Sequence, residues 1–193
     1  MTAYAEVWAA ALPYMRARRN DVHIPLSYGY AERLLAAHRE ADADVVLLGI
    51  LLHDIGWAVV DQEAIYRDAF GPGMMESEVR IAHEREGARL ARAILDPLGY
   101  PAGLVEEVAA IIDGHDTRAE ALSRNDELVK DADRLWRFCV TGVALASEWW
   151  AMTPREYVAH LEPQLERFFT AAAASIAREE LAVSRAALRV ERL

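Results

Sequence analysis

An uninterrupted apolar run that ends in a histidine and an aspartate constrains this chain more than any other feature. Residues 45–52 read Val-Val-Leu-Leu-Gly-Ile-Leu-Leu, and His53, Asp54, Ile55 and Gly56 follow directly. Such a run predicts a buried helix that ends in a left-handed glycine cap at Gly56. Burying an imidazole or a carboxylate costs free energy unless a partner satisfies it. The pair therefore predicts either a hydrogen-bonded buried histidine or a metal site.

Composition limits the class of protein. The chain has 193 residues, of which 53% are hydrophobic and 27% charged, so we expect one globular domain over residues 1–193. A single cysteine, Cys139, rules out a disulfide framework. With no signal peptide at the start and no apolar run long enough to span a membrane, we expect a cytoplasmic protein.

Net charge narrows the choice of partners. The formal charge of −10 disfavours binding to long nucleic acid, whose affinity depends on lysine and arginine neutralising phosphates. A small phosphorylated substrate stays compatible with this charge, because bound divalent cations can invert the local field.

Almost every segment has a helical period and none alternates like a strand, which predicts an all-α fold. The expected helices cover residues 3–18, 25–40, 44–55, 77–98, 102–114, 125–150 and 153–193. Between the third and fourth of these, residues 57–76 hold Gly71-Pro72-Gly73 and predict a lid, a binding loop or a disordered excursion.

Polar residues interrupt several apolar stripes. His83 shares a stripe with Gly87, which leaves room for a close backbone or a ligand, and His115 ends the stripe of the next helix. Asp133 lies on an apolar stripe, and His23 stands just ahead of the second helix. Each alone is more often a core or surface residue, but helical bundles build metal sites from inward-pointing side chains on facing helices. The candidate ligands are His23, His53, Asp54, His83, His115 and Asp133.

This order of residues resembles the HD-domain superfamily of metal-dependent phosphohydrolases, whose pattern is His…His-Asp…Asp on an all-helical bundle. The matching segments are His23, Leu-Leu-His-Asp-Ile-Gly at 51–56 and Lys-Asp-Ala-Asp-Arg-Leu at 130–135. His83 and His115 resemble the fourth and fifth ligands of the binuclear branches.

The resemblance covers residues 20–140 and implies an HD helical bundle of about six to eight helices, with residues 153–193 as a C-terminal helical extension. Asp131 competes with Asp133 for the last ligand position. The two lie about 200° apart around a helix, so both cannot face one site. Asp133 is preferred, because it shares the apolar stripe and because the family's aspartate precedes such an Arg-Leu pair. Asp116 follows His115 in a loop, where hydrogen bonding or exposure is expected.

The implied chemistry is hydrolysis at one or two divalent ions. Four imidazoles and two carboxylates suit Fe, Mn, Co, Ni or Zn rather than Mg or Ca. In the binuclear arrangement Asp54 would bridge two ions, one shared with His23, His53 and Asp133 and the other with His83 and His115. His53 and Asp54 are then the expected catalytic residues.

Substrate binding is predicted on the helix that carries Asp133. Lys130, Arg134 and Arg137 recur at i, i+4 and i+7 and form either a phosphate clamp or a solvated face. Trp57 follows the His-Asp-Ile-Gly motif, where cyclic-dinucleotide phosphodiesterases and several di-iron oxygenases of the superfamily have a lysine. It is expected to stack on a base or to pack over the site.

Other interpretations stay open. A di-iron oxygenase uses the same six ligands, and a non-catalytic HD module would bind metal or a nucleotide without turnover. The alanine-rich C-terminal end packs on the bundle or on a second copy in a homodimer. The basic residues Arg16, Arg18 and Arg19 are expected to be a solvated helix end.

Overall fold

The computed structural model describes residues 4–61, 63–65 and 77–190, and these residues form α- and 3-10 helices without a β-strand. The predicted all-α class is confirmed. Most of the predicted 57–76 loop lies outside the described residues. The α-helices are α1 (Ala5–Ala11), α2 (Asn20–Ala37), α3 (Ala43–Leu52), α4 (Glu78–Leu95), α5 (Ala102–Ile112), α6 (Arg124–Leu135), α7 (Val140–Trp149), α8 (Pro154–Leu161) and α9 (Ala171–Val190).

Helix α3 is the central element of the bundle. The Asp42 carboxylate caps its first turn by accepting hydrogen bonds from the backbone N–H groups of Asp44 and Val45, at 2.9 and 3.3 Å. Its apolar run is almost completely buried against α2, α5 and α6. Because the apolar run of α3 is buried, the two residues that follow it, His53 and Asp54, lie in the interior of the bundle.

The predicted helix over 125–150 is interrupted, and this is one reason why the described helices outnumber the six to eight expected. α6 ends at Leu135, a 3-10 turn follows, and Cys139 is extended at φ −75° and ψ 161° before α7 begins. A Cβ atom at Gly142 would lie 1.8 Å from the carbonyl oxygen of Trp136. The sharp turn therefore depends on a glycine at that position.

Gly56 does not form the predicted left-handed cap. Among the described glycines, positive φ angles occur at Gly99 and Gly114. A Cβ atom at Gly56 would instead lie 2.0 Å from the carbonyl oxygen of His83 and 2.5 Å from the backbone nitrogen of Gly87. Gly56 lets the 3-10 turn Ile55–Ala58 lie directly against the backbone of α4.

Asp131 connects the bundle to its C-terminal extension. Its carboxylate accepts hydrogen bonds from the backbone N–H groups of Phe169 and Thr170, both at 2.9 Å, and from the Thr170 hydroxyl at 2.8 Å. These contacts fix the start of α9 against α6. None of the described helices combines the length and the apolar character that a membrane span requires.

Candidate metal centre

The six candidate ligands come from five parts of the bundle and meet at one buried place. His23 lies in the first turns of α2, which begins at Asn20 and not at the predicted Pro25. The other positions are the end of α3, the middle of α4, the segment after α5, and α6. No side chain of this set belongs to a residue more than 5% exposed. The set consists of His23, His53, Asp54, His83, His115 and Asp133.

Three of these side chains form a first half-site, which consists of His23, His53 and Asp133. The Nε2 atoms of His23 and His53 are 3.0 Å apart. Asp133 Oδ1 lies 3.0 Å from His23 Nε2 and 3.4 Å from His53 Nε2. Asp54 Oδ2 lies 3.8 Å from His53 Nε2 and so faces the same half-site.

The second half-site consists of His83 and His115 on the opposite side of Asp54. Asp54 Oδ1 lies 3.6 Å from His83 Nε2 and 3.4 Å from His115 Nε2. The two oxygens of one carboxylate therefore face two different histidine pairs. This arrangement suits a carboxylate that bridges two cations.

The donor atoms fit transition-metal ions in spacing and chemistry. Bonds of about 2.1 Å to one ion place neighbouring nitrogen and oxygen ligands roughly 3.0–3.4 Å apart. The first half-site shows this spacing. Within the described residues, both ring nitrogens of His83 and Oδ1 of Asp133 are buried without a hydrogen bond. Buried polar atoms are almost always satisfied, and a cation would satisfy these.

Backbone carbonyl groups set the orientation of two imidazoles. His53 Nδ1 lies 2.7 Å from the carbonyl oxygen of Ile50, and His115 Nδ1 lies 2.9 Å from that of Ile112. Both contacts fit the tautomer whose proton is on Nδ1, which donates to the carbonyl. The lone pair on Nε2 is then directed toward the site, as in histidines that ligate metals.

The electrostatics of the cluster favour positive charge. Burial would raise the pKa of Asp54, but the surrounding imidazoles, His53 foremost, hold that pKa well below its usual range. Burial lowers the pKa of His115, yet its hydrogen bond to Asp54 and the charge of Asp116 raise it to about 9, so without a cation its Nε2 carries a proton that a bound metal ion would displace. Against the effect of burial, the pKa of Asp133 is lowered as well, chiefly by Arg137 and His23, and two carboxyl groups with low pKa values favour a cation at this place.

Trp57 lies beneath the centre, and its position corrects the prediction that it stacks on a substrate base. The residue is 0% exposed. Its ring stacks on His83 with centroids 3.7 Å apart and planes 12° apart, and its indole N–H donates to Asp54 Oδ1 at 2.8 Å. The packing role that the sequence also allowed is the one that the geometry supports.

Lys130 is buried and does not line the cavity described below, so its predicted part in a phosphate clamp is wrong. The residue is 1% exposed. Its ammonium donates to the carbonyl oxygens of Gly114, His115 and Arg118 at 2.7, 3.1 and 2.8 Å. Lys130 lies on the same helix as Asp133 and therefore fixes the loop that carries His115 to that helix.

Two acidic residues beside the histidines support the centre, and the sequence indicated only one of them, Asp116. Glu84, next to His83, is 2% exposed and accepts hydrogen bonds from the backbone N–H groups of Asp116 and Thr117, both at 2.8 Å. Asp116 also pairs with Arg80, and one of its oxygens lies within 4.8 Å of ligand atoms of His83 and His115. The hydrogen bonding expected of Asp116 is therefore present, whereas only adjacency to His83 could have indicated Glu84.

A cavity of about 620 Å³ opens onto the centre, and His115 and Asp133 are part of its wall. Its lining is basic although the chain is acidic overall. Arg137 contacts Asp133 at 3.4 Å, and Arg134 donates to the carbonyl oxygen of Arg167 at 2.6 Å. The basic residues of the lining are Arg18, Arg80, Arg118, Arg134, Arg137 and Arg167, and its acidic residues are Asp116 and Asp133.

Aromatic residues from the C-terminal part of the chain also line the cavity. They include Trp149, Trp150, Tyr157, Phe168 and Phe169. The predicted solvated end at Arg18 is wrong, because this side chain lies in the cavity wall between the rings of Trp57 and Trp149.

Comparison with known proteins agrees with this geometry. Residues 23–137, more than half of the chain, match the model of the HD domain family. Among solved structures, the chain is similar to the crystal structure of a predicted HD superfamily hydrolase from an uncultured Thermotogales bacterium. The two share 21% sequence identity over 98% of this chain and 90% of the other, with a TM-score of 0.63, which shows a common fold. No curated protein sequence is similar enough to count as a match.

Proposed function

The chain belongs to the HD-domain family, and we propose that it is a metal-dependent phosphohydrolase of a small phosphorylated substrate, such as a nucleotide or another phosphate ester. One observation carries this proposal. The Asp54 carboxylate lies between two histidine pairs, and His115 and Asp133 of the same centre line a cavity whose wall contains six arginines. Such a wall favours an anionic ligand next to a site that favours cations.

The residues divide into two sets of ligands around Asp54. His23, His53 and Asp133 would hold one ion, and His83 and His115 would hold the other. Mixed imidazole and carboxylate donors favour Fe, Mn, Co, Ni or Zn over Mg and Ca. When bound, such ions acidify water and neutralise charge on phosphoryl oxygens.

The arginines would bind and orient the substrate. Arg137 is held by the Asp133 carboxylate, and Arg134 by the carbonyl oxygen of Arg167. Both guanidinium groups are therefore ordered before the substrate binds. Charged N–H donors form strong, directional hydrogen bonds with phosphoryl oxygens. Holding the phosphate next to the metal ligands lowers the entropic cost of reaching the reactive geometry.

The test combines metal analysis with turnover. The protein, purified without chelators, is assayed for bound metal and for phosphate release from a panel of nucleotides and phosphomonoesters. We expect His53→Ala and Asp54→Ala to lose metal and turnover together. His38→Ala is the matched control, because His38 pairs with Glu40 at 3.1 Å outside the centre. Retained metal and activity in the Asp54 variant would refute the proposal.

The same assay distinguishes the other chemistries. Iron near two ions per chain, with activity that disappears under nitrogen, would indicate an oxygenase. Bound metal without turnover of any phosphate ester would indicate a binding module. Both outcomes contradict hydrolysis.

A further inference from the structure

We propose that Arg18 binds the phosphoryl group of the substrate at the mouth of the metal centre, and that Trp57 and Trp149 hold its guanidinium in position. This inference rests on the proposed function, because it assigns a residue to the same cavity. Arg18 precedes the segment that matches the family, residues 23–137, and Trp149 follows it. The guanidinium and one of the two rings that hold it would thus come from parts of the chain outside the matched segment, while Trp57 lies inside it.

Arg18 reaches the cavity in a defined orientation. It shares the cavity wall with His115 and Asp133 of the centre. Its guanidinium carbon lies 4.2 Å from the ring centroid of Trp57 and 5.0 Å from that of Trp149. Stacking on aromatic rings fixes the plane of a guanidinium, so that its N–H edge has a set direction. A planar fork of donors matches the oxygens of a phosphoryl group.

The backbone is built to direct this side chain inward. Arg18 has φ 50° and ψ 31°, and Arg19 has φ 57° and ψ 32°, so two consecutive residues other than glycine are left-handed. Such conformations are uncommon and cluster at binding sites. As a result, the side chains of Arg18 and Arg19 have different surroundings. Arg18 lines the cavity, whereas the side chain of Arg19 is 55% exposed and pairs with Asp21 at 3.4 Å.

The charges around Arg18 favour an incoming anion. Arg80 and Arg137 line the same cavity, and each contacts a carboxylate, Asp116 and Asp133 respectively. Burial lowers the pKa of Arg18 to about 10, an effect that nearby carboxylates oppose and the other two arginines reinforce. Arg18 therefore stays charged at neutral pH within a group of cations. A phosphoryl group would reduce the repulsion among them.

The experiment compares adjacent arginines in the metal-loaded protein. Binding of inorganic phosphate is measured by calorimetry, together with kcat and KM for an aryl phosphate or the best nucleotide. Arg18→Gln should weaken phosphate binding and raise KM by about ten- to a hundredfold, as expected for the loss of a charged hydrogen bond. Arg19→Gln is the matched control and should leave both values unchanged. Metal content should be the same in both variants.

Each alternative outcome has a defined meaning. Unchanged phosphate affinity in Arg18→Gln, with normal metal content, overturns the inference. If that variant does not fold, Arg18→Lys decides, because lysine keeps the charge but loses the planar fork. A folded Arg18→Lys protein that binds phosphate as tightly as the wild type overturns the inference as well. If the wild type hydrolyses no phosphate ester, the proposed function fails, while the phosphate titration still decides the role of Arg18.

Discussion

The ring of Trp57 lies parallel to the imidazole of His83, with centroids 3.7 Å apart and an angle of 12° between the planes. The same indole donates its N–H to Asp54 Oδ1 at 2.8 Å. One buried side chain therefore positions two candidate ligands of the second half-site. Outer contacts of this kind orient metal ligands and influence metal affinity.

Trp57→Phe tests this positioning role. The phenyl ring keeps a stacking surface for His83 but has no N–H for Asp54. We expect metal affinity to fall about tenfold, the lower end of the effect of losing such a contact. Calorimetric titration of the metal-free variant and wild type with Mn²⁺ or Zn²⁺ measures this affinity. Trp150→Phe is the control. The ring of Trp150 packs on His160, which is not a candidate ligand, with centroids 5.2 Å apart. Wild-type affinity in Trp57→Phe would show that the N–H has no such role.

Gly56→Ala tests the backbone contact between the 3-10 turn and α4. The new methyl group would lie 2.0 Å from the carbonyl oxygen of His83, and a backbone atom cannot move aside cheaply. We expect a loss of about 3 kcal/mol in the free energy of unfolding. Urea denaturation with a chelator present isolates this effect from metal binding. Gly29→Ala is the control. Its methyl group meets nothing within 4 Å, so it should stabilise α2 by about 0.5–1 kcal/mol.

Periodicity was enough to predict the helical class and the inward direction of several polar residues, but it did not predict the break between α6 and α7. His83 and His115 continue apolar stripes, and a stripe indicates which face of a helix is buried. The spacing of Asp131 and Asp133 likewise predicts that they face different surroundings. Asp131 binds the start of α9, while Asp133 lies 3.0 Å from His23. These predictions needed only local geometry.

The remaining features depend on contacts between distant parts of the chain. Gly56 reads like a helix cap, and its actual role appears only when α4 lies against it. Arg18 reads like a solvated helix end, because nothing in its neighbourhood indicates that Trp149 will cover it. Lys130 reads like a surface residue, although three carbonyl groups of a separate loop surround its ammonium. The pattern of residues along the sequence indicates which side chains are buried, but it does not identify the distant residues that they contact.

Lys130 and Arg134, one helical turn apart on α6, should respond differently to mutation. Lys130→Met removes the donor that three carbonyl groups share, so we expect a loss of about 1–3 kcal/mol in stability. Arg134→Gln should raise KM for a phosphorylated substrate and change stability little, because its side chain lines the cavity. Chemical denaturation and steady-state kinetics on both variants separate the two roles. An increase in KM without loss of stability in Lys130→Met would restore the clamp prediction for that lysine.

The two half-sites should lose their ions separately. His83→Ala removes a ligand on one side of Asp54 and leaves the first half-site intact, so a protein with about two ions per chain should keep about one. Asp133→Ala should have the same effect from the other side. Asp54→Ala removes the one carboxylate that faces both half-sites and should release both ions. Mass spectrometry of the metals, after dialysis against metal-free buffer, counts them. If His83→Ala keeps the full wild-type metal content, then His83 is not a ligand.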